Sequence, residues 1–344
     1  MNSRRIIFII LALLLTAVLV ISAVIYSRLF RPSVFPKGGE STLYIPDGAS
    51  YKQAMDTIEA NLDIKSSRTL HWVAEKKKYP VLVKPGKYVI SKPMSANDLI
   101  NMLRGGRQMP VRITFNNIRT LNELAGKIGG QIEADSASIM EFFSNPANYS
   151  SDGFSRETVI SVFIPDTYEF FWNTSAQKLY VRMLREYNRF WSRERIKKSG
   201  ELGLTPREVS TLASIVDEEA LKNDEKPRIA GVYLNRLRRG MPLQADPTIK
   251  FAINDFSVSR ILYKHLETDS PYNTYKHAGL PPGPIACPSI SGLEAVLNAE
   301  KHDYLYFAAR PDFSGYHNFA RTLSEHNKNA RRYQSELNRR RIYR

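Results

Sequence analysis

The sequence predicts an α+β protein that a single N-terminal transmembrane helix holds to a membrane. The first thirty residues contain one long apolar run, while the remainder alternates short β-type runs with apolar residues at helical spacing. The 344 residues are 43 % hydrophobic, which is enough for two domains with cores of their own. We therefore expect an anchor, a small α+β module and a larger α+β domain.

The anchor is predicted over residues 6–26, where Thr16 and Ser22 are the polar interruptions. At about 1.5 Å per residue this run is long enough to cross a bilayer core of ~30 Å. It exceeds the roughly 7–15 apolar residues of a cleavable signal, and no A-x-A site follows it. The run therefore predicts an uncleaved, single-pass anchor.

The charges around the anchor do not decide its orientation, because two arginines precede the span and two follow it. A tail of only five residues precedes the span, and the large folded remainder follows it. We therefore expect residues 1–5 to form a cytoplasmic tail and the span itself to lie in the inner (plasma) membrane. The rest of the chain would then lie on the periplasmic or extracytoplasmic side.

A short linker is predicted over residues 27–40, which contain two prolines and two glycines. The small module follows over residues 41–108, as a strand, two helical stretches, a second strand and a third helix. A Ser95-x-x-Asp98 capping box opens that third helix. Nothing in its residue spacing is catalytic, so the module is expected to bind a partner or to act as a spacer.

The larger domain is predicted over residues 109–344 and begins with a strand at 111–115. Its segment 163–172, FIPDTYEFFW, is dense in aromatic residues. Such clusters usually fill cores, but exposed tyrosine and tryptophan rings also bind sugars, and both interpretations stay open. Residues 270–288 hold five prolines, which predicts a rigid extended loop able to hold polar substrate groups.

Two consecutive helices with an acidic group between them are predicted over residues 205–240. A capping box from Thr205 to Glu208 fixes the start of the first helix. At about 100° per residue, Glu219 falls between Leu212 and Ile215, whereas Glu218 lies opposite the apolar stripe. A carboxyl in such a place is desolvated and keeps its proton to higher pH, as a general acid must. The alternative is a plain acidic run on a solvated helix end.

Charge and residue usage exclude several other functions. The net charge is +15 and part of the excess lies in the C-terminal tail, for which a solvated, frayed end is the simplest interpretation. No zinc-finger, RNP or P-loop pattern accompanies that charge, so no nucleic-acid partner is predicted. The single cysteine, Cys287, excludes an intrachain disulfide, and the six histidines lack metal-ligand spacing. We therefore expect no metal and no cofactor.

Beyond these patterns, the chain resembles the YceG-like (MltG) family of membrane-anchored endolytic murein transglycosylases. The motifs that carry the resemblance are IPDTY (164–168), ASIVDEEA (213–220), VYLNRLRRGMPLQADPT (232–248), SPYNTY with GLPPGPI (270–285), YLYF (304–307) and EHN (325–327). Any one of them would be weak evidence, but their order along the chain is specific. The resemblance also implies that the small module is LysM-like.

The resemblance implies an enzyme that cleaves the MurNAc–GlcNAc β-1,4 bond of nascent peptidoglycan strands without water. The product would carry a 1,6-anhydro-MurNAc end, and the cut would terminate glycan elongation. It also implies that the enzyme works beside membrane peptidoglycan synthases. In the family the helix motif usually reads ASIVEKE, with a catalytic glutamate in one of two positions. This sequence has Asp217 at the first position and Glu219 at the second.

Glu219 is therefore the predicted catalytic residue, with Asp217 as the fallback, because an aspartate is the poorer proton donor at neutral pH. A second departure, ACPSISGL, is interpreted as local variation, so that Cys287 is not a nucleophile. Asp246 is a candidate second carboxylate, although an Asx-type turn before Pro247 is an equal alternative. The predicted substrate-binding residues are Gln244, Asp246, Thr248, Tyr272, Asn273, Thr274 and Tyr275.

Two rival functions remain at this point. A muramidase would cut the same bond with water and would need a second carboxylate. A membrane-tethered scaffold would bind the wall without cleaving it.

Overall fold

The computed structural model describes residues 3–258 and 260–340. It is a mixed α+β structure, as predicted, with one long N-terminal apolar helix. Contacts within the chain divide it into two compact units. The first contains the residues up to Arg112 together with 131–133 and 169–174, and the second contains the rest.

Helix α1 spans Ser3–Phe30, and its stretch Ile6–Phe30 is long and apolar enough to cross a membrane. Of the predicted cytoplasmic tail, residues 1 and 2 lie outside the described residues, and the helix already begins at Ser3. Apolar side chains along the helix are exposed, as expected of a helix whose partner is lipid.

The first unit holds four strands and three further helices. In chain order they are β1 (Val34–Pro36), β2 (Ser41–Ile45), α2 (Tyr51–Asn61), β3 (Leu62–Ile64), α3 (Ser67–Lys76), β4 (Gly86–Ile90) and α4 (Ala96–Arg104). The strands form two antiparallel pairs, β1 with β3 and β2 with β4. Serine side chains cap all three helices, including the predicted Ser95.

The prediction of a linker over residues 27–40 is wrong in its detail. Helix α1 continues to Phe30, and β1 begins at Val34, after only three intervening residues. Val34 is fully buried in the core of the module, where it is held by backbone hydrogen bonds with Met94. A buried apolar side chain and a paired backbone make this segment part of the folded unit.

Strands β5 (Val111–Phe115) and β6 (Asp166–Phe170) pair with each other. Between them lie α5 (Leu121–Gly129) and α6 (Ser136–Ser144). In the aromatic segment, Phe163 and Phe170 are buried while Phe171 is exposed. Phe163 packs at 5.6 Å from the Phe143 ring, so the segment mainly fills the core.

The remaining elements belong to the second unit. They are α7 (Ala176–Phe190), α8 (Arg193–Glu201), α9 (Pro206–Glu219), α10 (Lys226–Arg238), α11 (Asp246–Ala252), α12 (Tyr263–Leu266), α13 (Ile290–Leu297), β7 (Tyr306–Ala309), β8 (His317–Ala320) and α14 (Leu323–Arg339). Strands β7 and β8 form an antiparallel hairpin. The C-terminal tail is not frayed over its described part, because a capping box at Thr322 opens α14 and the helix contacts β7.

Helix α9 is the central element of this unit, in contact with α8, α10, α11 and α13. Every residue from Val209 to Val216 is buried, so the helix is covered on all sides. Its buried hydroxyls are satisfied within the structure, and the Ser214 hydroxyl accepts a hydrogen bond from the Ile285 backbone at 3.0 Å. That bond ties the proline-rich loop to the helix that carries the three acids.

Candidate active site

The three adjacent acids at the end of α9 lie in three different environments. Asp217 is an internal ion-pair partner, since Lys226 Nζ lies 2.8 Å from its carboxylate. The Ser289 backbone N–H and hydroxyl also donate to it, at 2.6 and 2.9 Å. Because Ser289 is the N-cap of α13, Asp217 fastens the start of α13 to α9 and α10.

The packing around Asp217 leaves no room for substrate. A Cβ atom at Gly292 would lie 2.4 Å from Asp217 Oδ1, so only glycine permits this approach. The fallback assignment of Asp217 as the proton donor is therefore unsupported by its geometry, because its oxygens are taken by Lys226 and Ser289.

Glu218 is exposed and lies 3.2 Å from Arg119 Nη2 in a surface ion pair. Glu219, the last residue of α9, instead accepts a hydrogen bond from the Tyr233 hydroxyl at 3.0 Å. Burial among protein atoms, with a smaller contribution from Asp246, raises the pKa of the Glu219 carboxyl to about 7. Tyr233, Arg236 and Lys250 oppose this rise without cancelling it.

Helix α10 supplies two of the groups that face Glu219. Tyr233 and Arg236 lie three residues apart, on the same face of the helix. The Arg236 guanidinium donates to the backbone oxygens of Leu305 at 2.7 Å and Leu243 at 2.8 Å. Those carbonyls fix the guanidinium, so its positive charge stays near Glu219. Because Arg236 forms these hydrogen bonds to the backbone, the Glu219 carboxyl stays available to substrate.

Asp246 is exposed at the first position of α11 and accepts a hydrogen bond from the Tyr275 hydroxyl at 2.5 Å. Burial and this contact raise the pKa of Tyr275 far above its usual value, so the phenol remains a donor. Gln244 is also exposed, and its side-chain oxygen lies 3.5 Å from Arg236 Nη1. Asp246 and Tyr275 thus lie close enough to Glu219 to affect its charge, and Gln244 lies beside Arg236. Substrate binding by these three residues stays a prediction.

Three of the predicted substrate-binding residues are scaffold instead, because they are buried and hydrogen-bonded within the protein. The Thr248 and Thr274 hydroxyls lie 2.9 Å apart, and Thr274 Oγ1 also accepts the Ala245 N–H. The Asn273 amide donates to the Leu266 and Thr268 carbonyls. The prediction of direct substrate contact fails for Thr248, Asn273 and Thr274, whose bonds hold the loop that carries Tyr275.

Tyr272 lies elsewhere, in a recess of about 910 Å³ whose lining includes Arg119, Glu157 and Phe251. Its ring packs at 4.6 Å from that of Phe251. Tyr272 is therefore separated from Tyr275, which faces Asp246, although only two residues lie between them in the chain.

A groove of about 560 Å³ opens beside Glu219, and its far wall is the β7–β8 hairpin with α14. Its lining includes Arg310, Phe313, Tyr316, His317 and Tyr333. Aromatic rings and polar groups around a carboxyl suit a sugar, since rings cover its apolar faces and polar atoms meet its hydroxyls. We call this the glutamate groove.

The wall of the glutamate groove is held by a buried carboxylate. Glu225 accepts from the His317 backbone N–H at 2.9 Å and lies 2.7 Å from His317 Nδ1.

The sequence analysis did not identify Tyr233, Arg236 and His317 as site residues. Tyr233 and Arg236 lie in the quoted motif VYLNRLRRGMPLQADPT, but their approach to Glu219 depends on how α10 packs on α9.

The described residues contain no group of three or more His, Cys, Asp or Glu placed to hold a metal. Cys287 is buried, and burial raises the pKa of its thiol, so it is a poor nucleophile.

Comparison with known proteins identifies the family of this chain. The sequence profile of the YceG-like family matches residues 43–332, which is most of the chain. The chain belongs to the YceG-like family. A Bacillus subtilis (strain 168) relative named endolytic murein transglycosylase is 32 % identical over 312 residues, covering 86 % of this chain and 85 % of that protein.

Two further YceG-like comparisons agree with this membership. A protein of the same name from Streptococcus pneumoniae serotype 2 is 30 % identical over 333 residues, and this chain spans 59 % of its length. A crystal structure of a YceG-like protein from Listeria monocytogenes matches with a TM-score of 0.56 and 30 % identity. That match covers 85 % of this chain and 99 % of the Listeria chain, so the fold is that of the YceG-like family.

Proposed function

We propose that this protein is a membrane-anchored endolytic peptidoglycan transglycosylase in which Glu219 is the acid and the base. The observation that carries the proposal is the Glu219 carboxyl, whose pKa of about 7 makes both protonation states available at neutral pH. The carboxyl lies at the glutamate groove and accepts the Tyr233 hydroxyl. Relatives at 30 and 32 % identity carry the name of this activity.

The reaction needs one proton shuttle and no water. Protonated Glu219 donates to the glycosidic oxygen as the bond between that oxygen and the MurNAc anomeric carbon breaks. The MurNAc C6 hydroxyl then bonds to the anomeric carbon and gives its proton to the Glu219 carboxylate. The products are a 1,6-anhydro-MurNAc end and a new GlcNAc 4-hydroxyl end, and Glu219 is protonated again.

Nearby charges support this cycle. Positive charge develops at the anomeric carbon in the transition state, and the exposed Asp246 carboxylate, oriented by Tyr275, would stabilise it. After proton donation, the Tyr233 hydroxyl and the fixed Arg236 cation stabilise the Glu219 carboxylate. The sugar rings would pack on the aromatic wall of the glutamate groove.

The test is digestion of purified sacculi followed by mass spectrometry. Products of the transglycosylase weigh one water less than those of a muramidase, so reducing-end products would contradict the proposal. Glu219→Gln should lower the rate by about 10²–10⁴-fold, the usual loss for a general acid. Its matched control, Glu218→Gln, should stay within about twofold of wild type because Glu218 lies in a surface ion pair.

The scaffold alternative makes the opposite prediction. If wild type releases no cleavage products from sacculi, and Glu219→Gln leaves both wall binding and the cellular phenotype unchanged, the catalytic proposal fails. A muramidase would require Asp246 to activate water, and Asp246→Asn would then abolish cleavage. In the proposed reaction that variant is slowed by less than Glu219→Gln.

We further propose that α1 spans the plasma (inner) membrane and that both units lie on its periplasmic or extracytoplasmic side. There the enzyme would trim nascent strands beside peptidoglycan synthases and so end their elongation. The LysM-like character of the first unit stays a prediction, with glycan as its expected ligand. Protease protection of intact and opened spheroplasts would test the orientation, since exposure of the second unit to the cytoplasm would contradict it.

A further inference from the structure

An amphipathic cleft lies within the first unit, where the C-terminal end of α1 meets α3. The whole cleft has a volume of about 680 Å³, and its apolar part is lined by Ile25 and Leu29 of the anchor and by Trp72 of α3. Arg28, Arg68 and Thr69 line the same space. The cleft therefore has an apolar side on the anchor helix and a polar side toward the module.

A basic recess of about 1020 Å³ shares three residues with that cleft. Its four charged lining residues are Arg28, Arg31, Lys65 and Arg68, and the lining includes no carboxylate. All four are exposed. Across residues 3–258 and 260–340, none of the four belongs to an ion pair. The nearest partner of Lys65 is the Phe35 ring, 5.1 Å from Nζ.

Four unpaired cations in one recess repel one another, so an anion there is stabilised. Ser27, Ser33 and Ser66 line the recess as well and add hydroxyl donors. Arginine forks and hydroxyls match phosphate oxygens, which accept several hydrogen bonds at once. The charge and the donor set together indicate a phosphate group.

The end of the apolar span sets where this recess would lie. Tyr26 and Phe30 of α1 and Trp72 of α3 are exposed over 66 %, 49 % and 46 % of their surfaces. Exposed tyrosine and tryptophan at the end of a span are typical of the head-group level of a bilayer. With α1 in a membrane, the recess therefore meets lipid phosphates and the apolar part meets acyl chains.

We propose that this cleft binds an anionic phospholipid, with the head-group phosphates in the basic recess and an acyl chain along Ile25, Leu29 and Trp72. Basic residues at an anionic bilayer surface attract anionic lipids. The bound lipid would fix the module against the bilayer surface. This site is separate from Glu219 and does not depend on the proposed reaction.

The test uses the full chain, purified in detergent and offered phosphatidylglycerol or phosphatidylcholine, with native mass spectrometry to count the lipids bound. Wild type should retain phosphatidylglycerol at least tenfold better than phosphatidylcholine. The variant Arg31→Gln, Lys65→Gln, Arg68→Gln should lose that preference. Equal retention of the two lipids by wild type would overturn the proposal.

A charge-matched control separates the site from general basicity. Lys76→Gln, Lys84→Gln, Lys92→Gln removes three exposed charges from the same unit but none from the recess. This control should keep the preference within about twofold, and an equal loss in it would overturn a specific site.

Two competitors test the source of the phosphate. Inorganic phosphate at millimolar concentration should not displace the lipid, since it cannot occupy the apolar part. A polyprenyl pyrophosphate added at equal concentration should displace less than half of the phosphatidylglycerol. Full displacement by either one would overturn the assignment to a phospholipid.

Discussion

The Tyr233 hydroxyl lies 3.0 Å from Glu219 Oε1 and donates to it across the junction of α9 and α10. Tyr233 is buried, and its pKa is raised well above the ordinary value by burial and by Glu219, so it stays a donor. The pair therefore couples the protonation of Glu219 to a fixed neutral donor.

The pH dependence of cleavage should follow Glu219. The donor form is the protonated one, and its pKa is about 7. We expect kcat/KM to fall about tenfold per pH unit above that value. A profile that is flat between pH 6 and 9 would contradict Glu219 as the acid. The measurement is the initial rate of release of soluble muropeptides at subsaturating substrate.

The Tyr233→Phe variant should shift that profile upward. Removing a donor that stabilises the carboxylate raises the pKa of Glu219 further. We expect the falling limb to move to higher pH by about one to two units, because a hydrogen bond to a charged group contributes about 1.5–3 kcal/mol. A downward shift would show that Tyr233 acts otherwise.

The Glu219→Gln variant should be more stable than wild type at alkaline pH. The folded-state pKa, about 7, lies above the ordinary value of 4.5, so wild type loses stability as pH rises from 4.5 through 7. The glutamine variant has no proton to lose. We expect the difference in the free energy of unfolding to grow by about 3 kcal/mol between pH 4.5 and 8. Urea unfolding of the second unit's tryptophan signal measures it, and a constant difference would contradict the raised pKa.

The Asp217→Asn variant should lower stability without moving the pH profile. It leaves Lys226, which is buried, without its charge partner, at a cost of about 3–5 kcal/mol. The added Lys226→Met substitution should recover part of that loss, because no unpaired charge then remains. If the falling limb of the kcat/KM profile changes in soluble Asp217→Asn protein, Asp217 would again be a candidate for the catalytic proton donor.

The Gly292→Ala variant should unfold more easily, by about 1–3 kcal/mol, because its Cβ would meet the Asp217 carboxylate. In an Asp217→Ala background the same change should cost less than half as much, since the obstructing oxygens are gone. Equal losses in both backgrounds would show that another contact limits this position. Gly126, whose Cβ would meet nothing within 4 Å, provides the matched control.

The sequence was most informative where one helix determines geometry. The capping box at Thr205 and the apolar stripe of α9 fix which way Glu219 faces, and the desolvated environment expected from them is present. It was less informative where distant elements meet. His317 reaches the glutamate groove because β8 pairs with β7, and no local sequence pattern shows that this pairing brings His317 close to Glu219.

The errors of detail have local causes. Prolines and glycines in residues 27–40 indicated a linker, but the burial of Val34 in the short strand β1 depends on its pairing with β3 and Met94, which no local pattern shows. Asn273 and the two threonines carry polar side chains suited to a sugar. Their burial depends on how the loop packs against α11. The sequence does not show that their polar side-chain atoms are paired by hydrogen bonds within the protein.

The three residues between Phe30 and Val34 limit how far the first unit can move from its anchor. Even fully extended, that stretch of chain covers about 14 Å from one Cα to the other. Backbone bonds of Ser33 and Val34 to Met94 reduce this reach further. With α1 in a bilayer, the sheet that begins at β1 would therefore stay next to the membrane surface.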